Sequence, residues 1–64
     1  MKLLITGGSG FIGTAAVQWA LDKEYNVINF DLLPPKISSH KPFWHLVDIR
    51  NYKILTKELR MINL

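Results

Sequence analysis

Three glycines at intervals of three, directly after a short apolar run, constrain this chain more than any other feature. Residues 3–5 are apolar, Gly7, Gly10 and Gly13 follow, and a helix-compatible segment continues from Thr14. Between a strand and a helix, such glycines are typical of a site for nucleotide phosphates. They allow a tight turn, close approach of a diphosphate to the backbone, and close packing of the helix on the strand. The N–H groups and the positive end of the helix would then face the anion.

An acidic residue after a second apolar run narrows this interpretation. Asp31 directly follows residues 27–30 and lies eighteen positions after Gly13. A carboxylate at the end of the second strand can accept hydrogen bonds from the ribose hydroxyls of NAD. Its charge would repel the 2′-phosphate of NADP, and the next residue, Leu32, offers no compensating cation. The sequence therefore predicts an NAD site in preference to an NADP site.

A P-loop is the competing interpretation of the same glycines. Residues 8–14 have the P-loop glycine spacing, but Thr14 stands where a P-loop has its lysine. Without that lysine no side chain reaches the β- and γ-phosphates, so an ATPase or GTPase is disfavoured.

Composition limits the remaining classes of function. The 64 residues amount to about half of a typical small domain. A hydrophobic content of 48% is that of a globular chain, so disorder is not expected. The absence of cysteine excludes disulfides and suits a reducing compartment, and we expect a cytoplasmic location. The apolar run at the start is too short for a signal peptide or a membrane span, so no membrane partner is expected.

The basic residues do not indicate a nucleic-acid partner. The formal net charge is +3, and six of the eight basic residues follow position 35. They are dispersed and alternate with apolar positions at helical spacing, which is typical of a solvated helix face. His40 and His45 have no metal-ligand partner at usable spacing, so no metal site is expected. Trp19 and Trp44 are expected to pack in or beside the core rather than to stack on a ligand.

Hydrophobic periodicity and helix-breaking residues divide the chain into elements. The predicted strands are residues 2–6, 27–31 and 43–47, the helices are 11–23 and 52–62, and the loop is 32–42. Polar residues form only a narrow stripe on the first helix, so the sheet and a further neighbour should cover its apolar face. Asn51 is the expected N-cap of the second helix. The apolar face of that helix comprises Tyr52, Leu55, Leu59 and Ile62.

The order β-α-β-loop-β-α predicts an α/β fold with a parallel sheet. The strands should lie in the order 3-2-1, as in the first half of a Rossmann, or doubly wound, dinucleotide fold. We therefore expect residues 1–64 to form the N-terminal half of an NAD(P)-binding Rossmann domain, with the sheet incomplete.

Three segments together resemble a known family. Residues 6–13 contain the pattern Gly-x-x-Gly-Phe-Ile-Gly, Asp31 follows, and residues 48–50 read Asp-Ile-Arg. In this order they resemble the N-terminal end of the NAD-dependent epimerase/dehydratase family, the extended branch of the short-chain dehydrogenases and reductases. The resemblance covers essentially the whole chain. One departure is Val47, which stands where the family often has glycine.

The resemblance implies a role for each matching position. The implied cofactor-binding residues are Gly7, Gly10, Phe11, Ile12, Gly13, Asp31, Asp48 and Ile49. The glycines would shape the turn, and the backbone of Phe11 and Ile12 would face the diphosphate. Asp31 would bind the adenosine ribose, Asp48 would accept from the adenine amino group, and the backbone of Ile49 would contact the ring. From the residues alone, the Asp48 role is reasonable, but a carboxylate at this position is also common as a solvated loop residue.

The family's catalytic pair is missing from these 64 residues. Its enzymes pass a hydride between C4 of a nucleotide sugar and the nicotinamide, using a Tyr-x-x-x-Lys pair. Here Tyr25 is followed four positions later by Asn29, and Tyr52 by Thr56. The lysine normally lowers the pKa of the tyrosine, so neither phenol is a suitable proton shuttle. No catalytic residue is therefore expected in this chain.

Two hypotheses remain open. In the first, the chain is the NAD-binding start of a nucleotide-sugar epimerase, dehydratase or reductase. In the second, it is a truncated, non-catalytic protein that binds a nucleotide or packs against a partner. In both, an incomplete sheet would need the missing C-terminal part or self-association.

Overall fold

The computed structural model describes residues 1–62 as one parallel sheet flanked by helices. The elements in chain order are β1 (Lys2–Thr6), α1 (Phe11–Asp22), β2 (Asn26–Asp31), a 3-10 helix (Ser38–Phe43), β3 (Trp44–Leu46) and α2 (Tyr52–Ile62). The predicted α/β class is confirmed. Each predicted strand and helix is present, and no end differs by more than one residue.

The sheet has β2 at its centre. Leu4 of β1 pairs with Ile28, and Phe30 pairs with His45 of β3, both in parallel. The order β1-β2-β3 is the expected 3-2-1 order read from the opposite edge. No strand among residues 1–62 pairs with the outer edge of β1.

The core lies between α1 and the first two strands. Val17, Ala20 and Val27 form its buried cluster. The partly buried side chains that surround it are Leu3, Ile5, Leu21, Tyr25 and Phe43. Helix α1 thus covers one face of β1 and β2.

The second neighbour expected for α1 covers it only in part within residues 1–62, because the 3-10 helix reaches α1 at Gln18 through His40. Val17 and Ala20 are the buried residues of this helix. Phe11 is 89% exposed, Ile12 is 82% exposed and Trp19 is 54% exposed. The sheet therefore covers one side of α1, and an apolar stripe remains in solvent on the other. Trp19 is consequently less buried than the packing role predicted for it implies.

The predicted loop at 32–42 is wrong in its second half, where the 3-10 helix runs from Ser38 to Phe43. The His40 N–H donates to the carbonyl of Ile37 at 3.0 Å at its start, and the Trp44 N–H donates to the carbonyl of Lys41 at its end. His40 is buried, and its Nε2 lies 2.8 Å from Oε1 of Gln18 on α1. Serine and proline interrupt periodicity in a loop and in a 3-10 turn alike, so sequence pattern did not separate the two. This helix takes Phe43 from the predicted third strand.

Helix α2 begins as predicted after Asn51. The Asn51 Oδ1 accepts a hydrogen bond from the Ile54 N–H at 3.2 Å, which is the N-cap geometry. No residue of α2 among those described is fully buried, although its apolar face is well formed. This helix therefore lies against the molecule rather than within its core. Within residues 1–62, no helix combines the length and apolar character of a membrane span.

Candidate functional site

The chain turns sharply between β1 and α1. Gly7 has a φ of +70°, in the left-handed region that side chains rarely adopt. Its N–H donates to the Phe30 carbonyl at 2.9 Å, and its carbonyl accepts from the Gly10 N–H at 3.1 Å. Glycine at position 7 thus lets the chain reverse while staying attached to β2.

Close packing of α1 on the turn requires glycine at position 13 as well. A Cβ on Gly13 would overlap the Gly7 carbonyl oxygen and come within 2.7 Å of the Gly8 Cα. Position 10 differs, because a Cβ there would meet the Gly7 oxygen at 3.5 Å, an ordinary contact. The fold of the described residues therefore needs Gly7 and Gly13 but does not need Gly10.

The first turn of α1 offers unpaired N–H groups. Gly10 is the N-cap, and the helical hydrogen bonds begin with the Thr14 N–H, 2.8 Å from the Gly10 carbonyl. The N–H groups of Phe11, Ile12 and Gly13 precede that bond and have no acceptor within the helix. No acidic residue lies in this first turn. The helix end is therefore suited to an anion.

Thr14, at the lysine position of a P-loop, is turned back onto the chain. Its Oγ1 donates to the Gly10 carbonyl oxygen at 2.6 Å. The hydroxyl therefore stabilises the helix start, in keeping with the argument against a P-loop.

A cleft of about 230 Å³ opens where the three strands end. Its lining residues are Gly7, Phe30, Asp31, Leu32, Val47, Asp48, Ile49 and Arg50. Four predicted site residues, Gly7, Asp31, Asp48 and Ile49, thus share one cleft although they come from three separate segments. The other four, Gly10, Phe11, Ile12 and Gly13, form the adjoining start of α1 and do not line the cleft.

The carboxylate of Asp31 is anchored at the floor of this region. Its Oδ2 accepts from the Ser9 N–H at 2.9 Å, and its Oδ1 accepts from the Leu33 N–H at 3.1 Å. The Trp44 indole Nε1–H donates to the Asp31 carbonyl at 3.0 Å. Each carboxylate oxygen has two lone pairs, so acceptor capacity remains for a further donor. Trp44 has the packing role that the sequence predicted, beside the site.

Asp48 is held by its neighbour Arg50. Its Oδ1 accepts from the Arg50 backbone N–H at 2.9 Å and from Nε at 3.0 Å, and its Oδ2 accepts from Nη2 at 3.0 Å. The side-chain hydrogen bonds from Arg50, and then the backbone one, hold the pKa of Asp48 below its usual 3.8. The same side-chain hydrogen bonding raises the pKa of Arg50. Asp48 is therefore an ionised acceptor with a fixed orientation at neutral pH.

Sequence reasoning missed three residues that shape the turn: Gly8, Ser9 and Asn29. Asn29 lies in the middle of β2 and is 1% exposed. Its Oδ1 accepts from the Gly8 N–H at 2.8 Å, and its Nδ2 donates to Ser9 Oγ at 3.1 Å. The available signal was an amide side chain inside an otherwise apolar strand, since buried polar groups have partners.

Neither His40 nor His45 lines the cleft. His40 is buried against α1, and the His45 ring packs at 5.9 Å from the Phe30 ring. No group of three or more potential ligands among residues 1–62 is arranged to hold a metal ion.

Comparisons with known proteins identify relatives that match between 78% and 98% of this chain. It is 36% identical over 61 residues to a probable dTDP-glucose 4,6-dehydratase of Sinorhizobium fredii (strain NBRC 101917 / NGR234). The matched residues are 92% of this chain and 17% of that relative. It is also 36% identical over 63 residues to a CDP-paratose 2-epimerase of Salmonella typhi, and these residues are 98% of this chain and 18% of that relative. A 3-beta-hydroxysteroid dehydrogenase of Mycolicibacterium neoaurum is 37% identical over 51 residues, which are 78% of this chain and 14% of that relative.

The chain thus spans less than a fifth of the length of these curated relatives. No solved structure gives a significant match. A family model matches residues 3–63, nearly the whole chain, and this range includes the turn, Asp31 and Asp48. The chain belongs to the NAD dependent epimerase/dehydratase family.

Proposed function

We propose that this chain is the NAD-binding portion of a nucleotide-sugar epimerase or dehydratase, with the catalytic part outside these 64 residues. It would be the N-terminal half of a Rossmann domain and would bind the adenosine diphosphate half of the cofactor. Family membership supports a nicotinamide dinucleotide as the ligand.

One observation carries this proposal: Gly7, Asp31 and Asp48 line a single cleft at the carboxyl ends of parallel strands. Ligands of open α/β sheets bind at that edge. The cleft, at about 230 Å³, is smaller than the roughly 300–1,000 Å³ of typical ligand pockets. A partial site of this size suits part of a dinucleotide rather than the whole cofactor.

The diphosphate would lie at the start of α1. The N–H groups of Phe11, Ile12 and Gly13 are available there, and the positive helix end favours an anion. Gly10 supports this role because the fold itself tolerates a Cβ at that position. Absence of a side chain at position 10 is then explained by the ligand that approaches it.

The adenosine would lie in the cleft itself. Asp31 would accept from the ribose hydroxyls through the lone pairs that Ser9 and Leu33 leave free. Asp48 would accept from the adenine amino group while Arg50 holds its carboxylate in place. The backbone of Ile49, which also lines the cleft, would contact the ring.

The same carboxylate would select NAD over NADP. A 2′-phosphate beside Asp31 would meet a negative charge at hydrogen-bond distance. Arg50 lines the cleft but is already paired with Asp48, which limits its ability to offset that repulsion. NAD is therefore the proposed cofactor.

The proposed substrate class comes from the relatives. Two of them are named for reactions of dTDP-glucose and CDP-paratose, both sugars linked to a nucleoside diphosphate. The third is named for a steroid. We favour nucleotide sugars because the two sugar relatives match over 92% and 98% of this chain.

A second candidate is a non-catalytic protein that packs against a partner. The exposed apolar stripe of α1, formed by Phe11, Ile12 and Trp19, favours it. A Tyr-x-x-x-Lys segment encoded downstream of codon 64 would support the enzyme. An uninterrupted non-coding sequence there would support the second candidate.

Titration of the ¹⁵N-labelled chain, followed by NMR, tests the proposed site. We expect NAD at millimolar concentration to shift the amides of Phe11, Ile12, Gly13, Asp31 and Ile49. AMP should reproduce the shifts at Asp31 and Ile49, whereas nicotinamide mononucleotide should not. NADP should bind more weakly than NAD. Shifts with the nicotinamide half alone, or none with NAD, would contradict the assignment.

A further inference from the structure

Asn29 is a polar side chain in the centre of the central strand. It is 1% exposed, and its neighbours in β2 are mainly apolar. A buried carboxamide is costly unless its hydrogen bonds are satisfied, and here both ends are used. Both partners lie in residues 7–10, the glycine turn between β1 and α1, and neither lies in the sheet.

The partners determine how the carboxamide is oriented. A backbone N–H can only donate, so the atom 2.8 Å from the Gly8 nitrogen must be Oδ1. That orientation directs Nδ2 to Ser9 Oγ at 3.1 Å. A Cβ at position 8 would overlap Oδ1, so Gly8 is required for this contact.

Every N–H group of the turn is consequently paired inside the protein. Gly7 donates to the Phe30 carbonyl, and Gly10 donates to the Gly7 carbonyl. Gly8 donates to Asn29, and Ser9 donates to Asp31, both on side chains of β2. Residues 7–10 therefore have no N–H group left for an anion, and the first turn of α1 begins immediately after them.

We propose that Asn29 is a positioning residue for the cofactor diphosphate: its carboxamide fixes the glycine turn so that only the first-turn N–H groups of α1 receive the anion. This inference rests on the proposed function. An apolar residue at position 29 would leave the Gly8 N–H buried without an acceptor, and the turn would open to satisfy it.

Three variants isolate the carboxamide. Asn29→Leu conserves the approximate volume and removes both hydrogen bonds. Asn29→Asp keeps an oxygen for the Gly8 N–H and a second oxygen that can pair with the Ser9 hydroxyl. Asn26→Leu is the matched control, because Asn26 starts the same strand and is exposed. Amides of β1 and β2 report whether each variant is folded.

Amide hydrogen exchange, measured by NMR on the full chain, gives the first readout. We expect Asn29→Leu to speed exchange at Gly8 and Ser9 by about tenfold relative to strand amides. Asn29→Asp should restore slow exchange, and Asn26→Leu should leave it unchanged. Equal exchange in the parent and Asn29→Leu, with both folded, would overturn the positioning role.

Titration with NAD gives the second readout. Amides of Phe11, Ile12 and Gly13 should shift in the parent while that of Gly8 stays nearly constant, and Asn29→Leu should weaken binding by about tenfold. A shift at Gly8 as large as those of the helix would overturn the inference and leave the NAD site standing. A parent without any shift would overturn the proposed function, and exchange would still decide whether Asn29 holds the turn.

Discussion

The glycine turn and the outer surface of the helices differ in how many of their groups find a partner within the chain. At the turn, four successive N–H groups have partners, and side chains from β2 supply two of the acceptors. On the outer surface, Phe11 and Ile12 are almost fully exposed, and α2 has no buried residue among those described. The described residues therefore satisfy the hydrogen bonds of the turn among themselves, whereas they leave the apolar side chains of the outer surface uncovered.

The largest expected effect comes from filling the space at Gly13. Gly13→Leu would force α1 away from the turn because its Cβ overlaps backbone atoms that cannot rotate aside. We expect a loss of about 3 kcal/mol or more, against a total of roughly 3–10 kcal/mol for a chain this short. Thermal unfolding followed by circular dichroism measures it. Gly10→Ala is the control and should change stability by less than about 1 kcal/mol. A Gly13→Leu protein that melts like the parent would show that the turn is looser than described.

Gly10→Val separates binding from folding at the same turn. The backbone at position 10 is extended, with φ −78° and ψ −179°, so valine is sterically acceptable. We expect a folded protein with NAD binding abolished, because a branched side chain would occupy the path of the diphosphate. NMR titration with NAD checks this. Retention of parental affinity would mean that the phosphate site has been assigned to the wrong place.

The outer surface can be tested by adding charge to its apolar stripe. We expect the chain to self-associate in sedimentation experiments as its concentration rises, since the β1 edge and the α1 stripe are both uncovered. Trp19→Lys should reduce this association without loss of fold, because Trp19 is already 54% exposed. Ser39→Lys adds the same charge at an exposed position elsewhere and should have no such effect. A stable monomer at all concentrations would remove the contrast between the two regions.

The smallest effect concerns the ion pair beside the cleft. The folded-state pKa of Asp48 lies below its ordinary 3.8, so its stabilising effect is complete above that pH. This stabilisation is lost as the pH falls through the lowered folded-state pKa. Arg50→Ala should return the pKa of Asp48 toward 3.8, as measured by NMR titration of the carboxyl. The stability change should be slight because the Arg50 side chain is 80% exposed. An unchanged pKa would show that the pair does not persist in solution.

The sequence was most informative where the backbone conformation demands one residue type. The need for glycine at positions 7 and 13 followed from the strand–turn–helix pattern, and both positions have the expected geometry. The strand ends were predictable because apolar runs stop there, and this brought Asp31 and Asp48 to one edge of the sheet.

Long-range pairing of side chains was not readable in the same way. Asn29 lies about twenty residues from the turn that it holds, and no local pattern links them. The 3-10 helix was missed because six residues are too few to show a sequence periodicity of their own. The apolar side of α1 was predicted to be covered, since sequence reveals that a face is apolar but not what lies against it.

The pairing of the sheet bears on how quickly it can form. Each strand pairs with its neighbour in sequence: Lys2 pairs with Asn26, and Asn29 pairs with Trp44. The paired residues are 24 and 15 positions apart in sequence. The entropy of closing these loops is lost before the strand pairing compensates for it, which slows the folding of a parallel sheet. We therefore expect the local hydrogen bonds of α1, which lies between β1 and β2 in sequence, to form faster than the pairing of these two strands.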